Sequence, residues 1–302
     1  MEPTKPEVTH EFPFFRVYSD GRVEKFNWPQ ETVPPTTNDP ITGVQSKDVV
    51  ISDDPKISAR IFLPRLPDPI HKLPVLLYAH GGAFSKMSAF SPRFDAHVRT
   101  LAAEARVIAV SVEYRLAPEH PIPACYDDSW AALQWIASHA NGDGPDPWLN
   151  ENADFNRVFV GGDSAGGNIS GNLALRAGSI GLPGVRVAGA ILVHPYFGGV
   201  EVDDKMWLYM CPSASGIDDY RMKPSAEDLG GIGCDRMLVF VAEKDHLCGP
   251  GKAYYENLKK SGWKGKVELV ENKGEEHCFH LRITSGDDNA VVKKIVSFIN
   301  QD

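Results

Sequence analysis

Phe159-Val-Gly-Gly-Asp-Ser-Ala-Gly-Gly-Asn168 is the stretch of this 302-residue chain that decides its fold. The apolar run Arg157–Val160 predicts a short buried strand that stops at Gly161-Gly162, and a helix-compatible run begins at Ala165. Ser164 lies between them in the pattern G-x-S-x-G. A strand that turns directly into a helix holds its middle residue in a strained conformation, and the flanking glycines allow the close approach. The helix N-terminus then directs backbone N–H groups toward charge that develops beside the serine.

The bulk composition indicates an ordinary globular protein, with 42% hydrophobic and 24% charged residues. A net charge of -9 disfavours nucleic-acid binding, because nucleic-acid-binding proteins normally present a basic face. No apolar run approaches the ~18 residues of a membrane span, and the N-terminus lacks the apolar core of a signal peptide. We therefore expect neither a nucleic-acid nor a membrane partner.

The cysteines predict a reducing compartment. They are five in number, lack the spacing of a metal site, and are Cys125, Cys211, Cys234, Cys248 and Cys278. An odd set of this kind favours free thiols in a cytoplasmic protein, with no metal and no cofactor. None of them follows a strand and opens a helix, so a cysteine nucleophile is disfavoured.

Strands and helices alternate along most of the chain. A hairpin is predicted over Val49–Ile51 and Ile57–Phe62. Further buried strands are predicted over Leu73–Ala79, Val107–Glu113, Val187–His194, Met237–Ala242 and Val267–Val270. Helices are predicted over Phe94–Ala105, Cys125–Ala140, Gly251–Lys260 and Asn289–Ile299. This alternation predicts one α/β domain over residues 1–302, with a mostly parallel twisted sheet and helices on both faces.

Two segments are candidates for a small cap over the sheet. Residues 1–47 are rich in Pro, Thr, Asn and Asp, but their aromatic side chains, which include Phe12, Phe14 and Trp28, favour docking over a loosely ordered arm. Residues 196–224 follow a strand on the face where α/β proteins bind ligands, and they contain the apolar cluster Met206–Met210. A surface loop is the alternative interpretation; we favour a cap segment.

The serine needs a base, which is usually a histidine oriented by a carboxylate. In this type of fold the acid and then the histidine follow later strands. Asp245 comes directly after the strand Met237–Ala242, and His277 follows the strand Val267–Val270. Both positions are therefore occupied by the required residue types.

Other residues could fill these roles. Rival bases are His280 and His246, and rival acids are Glu243, Glu275 and Glu276. Isolated histidines are usually surface or structural residues. His277 is favoured because its loop starts at Gly274 and precedes a run that contains an aromatic residue.

A tetrahedral intermediate also needs N–H donors for its oxyanion. The N–H of Ala165, just after the serine, is one expected donor. The others should come from a glycine-rich loop after an early strand, and His80-Gly-Gly-Ala83 follows the strand Leu73–Ala79.

Taken together, these motifs resemble the hormone-sensitive-lipase-like branch of the α/β hydrolases, and within it the plant carboxylesterases. The resemblance extends from about residue 12 to the end of the chain. It is carried by His80-Gly-Gly-Ala-Phe84, Tyr114-Arg-Leu-Ala-Pro-Glu-His120, Gly162-Asp-Ser-Ala-Gly166, Glu243-Lys-Asp245 and His277, with Ser19-Asp-Gly-Arg-Val23 and Asp146-Pro-Trp148 typical of the plant group.

The resemblance implies an α/β-hydrolase fold and a cofactor-independent serine carboxylesterase that acts on small-molecule esters through an acyl-enzyme. Ser164 is then the nucleophile, His277 the base and later the acid, and Asp245 the residue that orients His277. The oxyanion hole is implied in the loop around Gly81, which shapes it, with N–H donors from the residues Gly82, Ala83 and Ala165. The segment Tyr114–His120 is implied to be scaffolding.

Two departures from the family concern specificity. Ala83 replaces the third glycine of His-Gly-Gly-Gly, which preserves a donor unless the position requires a positive φ. Residues 196–224 form a shorter segment than in relatives, which indicates a reduced cap.

Two other functions fit the resemblance. One is a dehydratase, eliminase or cyclase of specialised metabolism, similar to 2-hydroxyisoflavanone dehydratase or an alkaloid cyclase, since a base beside an oxyanion hole also suits proton abstraction next to a carbonyl. The other is a gibberellin-receptor-like binding protein, which is disfavoured because a pure binder would not need His277. The complete Ser–His–Asp set favours hydrolysis.

Overall fold

A computed structural model describes residues 6–26, 31–66, 71–282 and 289–301. Trp28, one of the aromatic residues of the predicted arm, lies outside these ranges. The arm begins with a three-stranded antiparallel sheet, in the order β1-β2-β3, that the sequence did not predict. Its strands are β1 (Val8–Glu11), β2 (Phe15–Tyr18) and β3 (Val23–Lys25).

The large sheet has eight strands in the order β11-β10-β9-β8-β6-β7-β5-β4. Strands β4 and β5 form the predicted antiparallel hairpin, β5 pairs antiparallel with β7, and the other neighbours pair in parallel. The strands are β4 (Gln45–Asp53), β5 (Lys56–Leu63), β6 (Leu73–Ala79), β7 (Ile108–Glu113), β8 (Ala153–Asp163), β9 (Val187–Val193), β10 (Arg236–Ala242) and β11 (Lys266–Asn272).

The helices of the described residues lie between these strands or in the cap segments. They are α1 (Pro92–Ala105), α2 (Ala124–Ala137), α3 (Pro147–Asn152), α4 (Ala165–Ile180), α5 (Glu201–Met210), α6 (Ala226–Gly230), α7 (Cys248–Lys260) and α8 (Ala290–Ile299), with a 3-10 turn at Phe279–Arg282. Within the described ranges, no helix is long and apolar enough to cross a membrane.

Apolar clusters lie on both faces of the large sheet. In β10, Met237 and Val239 belong to one cluster, whereas Leu238 and Phe240 belong to the other, because successive side chains of a strand point to opposite faces. Helices α1 and α8 cover one face, and α2, α4 and α7 cover the other. The predicted mostly parallel sheet with helices on both faces is confirmed.

The sequence misplaced the ends of several elements; strand β4, for example, begins at Gln45 and not at Val49. Strand β8 does not stop at Gly161-Gly162 but continues to Asp163, because Gly161 and Gly162 pair in register with Tyr78 and Ala79 of β6. The backbone pairing overrides the low strand preference of glycine. Helix α2 ends at Ala137, three residues before the predicted end.

The two predicted cap segments contact each other. Helix α5 lies within residues 196–224, and its Trp207 is fully buried. The ring of Tyr209, also on α5, lies 5.0 Å from the ring of Phe12 and 4.7 Å from that of His10. The arm therefore packs on α5 through aromatic side chains, and both segments reach the carboxyl edge of the sheet, where the candidate site lies.

Candidate active site

Ser164 occupies a tight turn between β8 and α4. Its φ of 54° and ψ of -118° are a combination that residues with side chains rarely adopt. A Cβ at Gly162 or at Gly166 would overlap the carbonyl oxygen of Ala79 in β6. The two glycines of G-x-S-x-G are therefore required by the close packing of this turn against the neighbouring strand.

Ser164, His277 and Asp245 form a continuous line of hydrogen bonds. The Oγ of Ser164 lies 3.0 Å from Nε2 of His277, and Nδ1 of His277 lies 2.6 Å from Oδ2 of Asp245. These partners assign the tautomer in which Nδ1–H donates to the carboxylate and Nε2 accepts from the serine hydroxyl. The structure thus brings together the three residues predicted from the loops after β8, β10 and β11.

The electrostatic environment keeps Asp245 ionised. Burial by itself raises the pKa of this carboxyl, but the hydrogen bond and charge of His277, together with the N–H of Leu247, lower the pKa below its ordinary value. A carboxylate that stays charged holds the imidazole in place and stabilises its protonated form.

The rival histidines have other surroundings. His280 is buried, neither of its ring nitrogens has a hydrogen-bond partner among the described residues, and burial holds its pKa well below the ordinary range. His246 has its Nε2 2.8 Å from Asp203 of α5, and its Nδ1 3.4 Å from Asp245. Neither histidine bonds to Ser164 in the described part of the chain.

The rival acids also point elsewhere. Glu243 accepts the N–H of Gly274, and Glu276 pairs with Arg282. Across the described ranges, Glu243, Glu275 and Glu276 make no hydrogen bond with His277.

Several backbone N–H groups close to Ser164 are not engaged by the described residues. The cavity beside Ser164, about 200 Å³ in volume, is lined in part by Gly82 and Ala83. Within the described residues, the N–H groups of Gly82, Ala83 and Ala165 donate to no protein acceptor. Such N–H groups are suitable donors to an oxyanion.

Gly81 differs from its neighbours in the loop. Its N–H donates to Oδ1 of Asp163 over 3.2 Å, so it is engaged within the protein. A Cβ at this position would overlap the carboxylate of Asp163. The N–H of Gly81 is therefore already engaged, and the contact with Asp163 leaves room only for glycine at this position.

Ala83 adopts the positive φ that the sequence left open as an exception. Its φ is 51°, and that of Phe84 is 58°. A left-handed conformation at a residue with a Cβ costs about 1–2 kcal/mol. The loop is held by its surroundings, because Phe84 is fully buried with its ring 5.3 Å from that of Tyr196.

Tyr114 supports the same loop from the segment that the resemblance assigned to scaffolding. Its hydroxyl donates to the carbonyl oxygen of His80 over 2.6 Å, and its ring stacks on that of His80 at 4.2 Å. The next residue, Arg115, is held by a bidentate contact with the buried carboxylate of Asp128. These contacts explain the scaffolding role.

Sequence reasoning missed the structural importance of Asp163, the residue before the serine. Its carboxylate accepts from the Tyr78 hydroxyl at 2.8 Å and from Gly81, and it contacts the Sγ of Cys278 at 3.6 Å. Burial raises its pKa to about 6. The only signal in the sequence was an acidic residue at the end of an otherwise apolar strand.

One group in the described residues has the composition of a metal site. It consists of His194, His277 and Cys278. Both ring nitrogens of His277 already bond within the site, and burial raises the pKa of the Cys278 thiol well above its ordinary value. A metal there would have to displace Ser164 or Asp245 from His277 and deprotonate that thiol, so the arrangement fits proton transfer better than metal binding.

An aligned serine, histidine and aspartate beside available N–H groups, at the carboxyl edge of a parallel sheet, defines the serine hydrolases built on an α/β scaffold. A family model described as the alpha/beta hydrolase fold matches residues 76–281. The chain is 46% identical to a 2-hydroxyisoflavanone dehydratase of Glycyrrhiza echinata, over 98% of this chain and 97% of the relative. It is 43% identical to probable carboxylesterase 2 of Arabidopsis thaliana, over 100% and 99% of the two chains.

Solved structures give the same assignment. An esterase of Pyrobaculum calidifontis matches with a TM-score of 0.67 and 27% identity over 84% of each chain. A thermostable carboxylesterase cloned from a metagenomic library matches with a TM-score of 0.70 and 26% identity, over 85% of this chain and 90% of that one. The chain belongs to the α/β-hydrolase family, and the predicted fold and the resemblance to plant carboxylesterases are confirmed.

Proposed function

We propose that this protein is a serine carboxylesterase that hydrolyses small-molecule carboxylic esters through an acyl-enzyme. The observation that carries the proposal is the hydrogen-bonded line from Ser164 through His277 to Asp245. The relatives named as carboxylesterases and esterases support the same class of reaction.

The acylation step uses every group of the site. The Oγ of Ser164 attacks the ester carbonyl carbon while its proton passes to Nε2 of His277. The carbonyl oxygen becomes an oxyanion, which the N–H groups of Gly82, Ala83 and Ala165 stabilise. The intermediate then collapses, the bond between carbon and the alcohol oxygen breaks, and His277 returns its proton to that oxygen. The alcohol leaves, and the acyl group remains on Ser164.

Deacylation repeats these steps with water. His277 removes a proton from the water as its oxygen attacks the acyl carbon, and the oxyanion again lies against the same N–H groups. Collapse breaks the bond to Oγ, and His277 returns the proton to Ser164. One ester and one water give one carboxylic acid and one alcohol.

Hydrolysis of 4-nitrophenyl butyrate by the protein and by Ser164→Ala tests the proposal. We expect Ser164→Ala to lower kcat by about 10⁴-fold or more while the far-UV circular dichroism spectrum is unchanged. A folded Ser164→Ala variant with full activity would contradict the acyl-enzyme route.

A dehydratase remains the second candidate, because the relative with 46% identity carries that name. In such a reaction His277 would take a proton next to a carbonyl whose oxygen lies against the N–H groups. The bond between carbon and the hydroxyl group would then break, and His277 would return the proton to that oxygen, which leaves as water. Incubation with a 2-hydroxyisoflavanone and mass spectrometry of the product separate the two functions. Loss of one water at a rate above that of ester hydrolysis would favour the dehydratase.

We propose a cytoplasmic location on the basis of the five thiols. All five cysteines lie in the described residues and none forms a disulfide. A relative with 44% identity is named as mitochondrial, so the location needs its own test. A fluorescent fusion expressed in leaf cells should give diffuse cytoplasmic signal; mitochondrial signal would contradict the proposal.

A further inference from the structure

Two cationic side chains line the active-site cavity next to the loop His80–Ala83, here called the oxyanion loop. Lys86 follows this loop and Arg93 lies in the first turn of α1, and both line the same cavity as Ala83 and Ser164. The Nζ of Lys86 lies 3.8 Å from the ring centre of Phe14, so the N-terminal arm packs against this cation.

The carboxylates of the cavity are engaged with other groups. Each of the two aspartates that line it has a partner, as Asp163 bonds to Tyr78 and Asp203 to His246. A third cation of the cavity, Arg282, pairs with Glu276 at 2.9 Å. Arg93, by contrast, makes no ion pair and no hydrogen bond with the described residues.

The two cations repel each other in a partly buried place. Burial lowers the pKa of Lys86 below its ordinary value, and the charge of Arg93 lowers it further. The charge of Arg93 also acts on the thiol of Cys278, which follows His277 directly. The protein as a whole carries a net charge of -9, so this positive field is a local feature of the cavity.

We propose that Lys86 and Arg93 form a subsite for a carboxylate that the ester substrate carries in addition to its ester group. This inference rests on the esterase function proposed above. The planar guanidinium can donate two parallel N–H bonds to a carboxylate, and the ammonium adds a point charge. A bound carboxylate also removes the repulsion between the two cations. The substrate class is therefore an ester with a free carboxylate on its acyl or its alcohol part.

Two matched pairs of esters test the subsite. For the acyl part, mono-4-nitrophenyl adipate is compared with its neutral methyl ester. For the alcohol part, 4-acetoxybenzoate is compared with methyl 4-acetoxybenzoate. We expect kcat/KM to be higher for the charged member of one pair by about fivefold or more at low salt, and about 0.5 M NaCl to reduce that preference. The pair that responds identifies the part of the substrate that faces the cations.

Three variants connect the preference to the two side chains. Lys86→Gln and Arg93→Gln should each raise KM for the charged ester by about three- to tenfold. Arg93→Glu should reverse the preference in favour of the neutral ester. Arg186→Gln is the matched control. Arg186 is exposed, directly precedes the amino end of β9 and pairs with Asp235, so its replacement should leave the preference for the charged ester unchanged. Turnover of the neutral ester shows in each case that the site is intact.

Binding to Ser164→Ala tests the subsite without turnover. Calorimetry should show tighter binding of 4-acetoxybenzoate or of mono-4-nitrophenyl adipate than of the matching neutral ester, and the order should reverse when Arg93→Glu is added. Equal affinities in both pairs, or a preference that survives Arg93→Glu, would overturn the subsite. Absence of hydrolysis with all four esters, despite such a binding difference, would overturn the esterase function and leave the subsite standing.

Discussion

Two buried aspartates lie on either side of Ser164, and their environments give them opposite behaviour. Asp245 bonds to His277, and the net effect lowers the pKa of its carboxyl. Asp163 is more completely buried and bonds to the neutral groups of Tyr78 and Gly81, and burial raises its pKa to about 6. The difference shows that a charged partner can offset burial and keep a carboxyl ionised, whereas a more completely buried carboxyl with neutral partners has a raised pKa.

Replacing Asp245 should have the largest effect on the reaction. Asp245→Asn keeps the shape of the side chain but removes the charge that stabilises protonated His277. We expect kcat for 4-nitrophenyl butyrate to fall by about 10⁴-fold. Steady-state kinetics measure the loss, and a thermal melt provides the control for folding. A decrease of less than about tenfold would contradict the assigned role of Asp245.

At position 163, we expect activity to depend on the shape and hydrogen-bond acceptor of the side chain more than on its charge. Asp163→Ala removes the acceptor for Gly81 and Tyr78, so the oxyanion loop shifts, and we expect kcat to fall by about 10²-fold. Unfolding in urea should show a loss of about 1–3 kcal/mol in the free energy of unfolding. Asp163→Asn keeps an acceptor and should stay within about tenfold of the parent activity. Equal losses in the two variants would assign Asp163 a role through its charge.

The two carboxyls should also contribute to stability with opposite dependence on pH. The pKa of Asp163 is raised from 3.8 to about 6, so the folded state binds more protons between these values, and stability falls as the pH rises. Relative to Asp163→Asn, the parent protein should lose about 2 kcal/mol of unfolding free energy between pH ~4 and pH ~6. The contribution of Asp245, whose pKa is lowered, should instead be lost as the pH falls below its ordinary value of 3.8.

Urea unfolding from below pH 3.8 to above pH 6 measures both contributions as differences from the Asn variants. A parallel pH dependence for Asp163→Asn and for Asp245→Asn would contradict the comparison.

The smallest effect is expected at Cys278. Its Sγ contacts the Asp163 carboxylate at 3.6 Å, which is a weak hydrogen bond from a thiol. Cys278→Ala should cost about 0.5–1 kcal/mol of unfolding free energy and change kcat less than about threefold. Loss of most of the activity would indicate that this contact also positions His277.

The sheet and the proximity of Ser164, His277 and Asp245 were predictable because each depends on a local signal. The predicted strand over Leu73–Ala79 agrees with β6 at both ends, since a continuous apolar run ends at a glycine-rich loop. Asp245 and His277 followed from their places after β10 and β11. Parallel strands bring such loops to one edge of the sheet. The order of these residues along the chain was therefore enough to predict that they lie close together.

Other features depend on contacts between distant segments and were not visible in the sequence. Strands β1 to β3 are short and partly polar, and they pair with one another without an apolar run to mark them. The positive φ of Ala83 follows from the packing of the whole loop. The role of Asp163 depends on Tyr78 and Gly81, more than eighty positions away in the chain, and no local pattern reports that contact.

Labelling of Ser164 by a serine-reactive phosphonate tests the central claim most directly. Mass spectrometry of the intact protein should show one adduct per chain, and peptide mapping should place it on Ser164. Asp163→Asn should be labelled nearly as fast as the parent protein, whereas Asp245→Asn should be labelled about 10³-fold or more slowly. A folded protein that stays unlabelled, or that carries the adduct on another residue, would contradict the account.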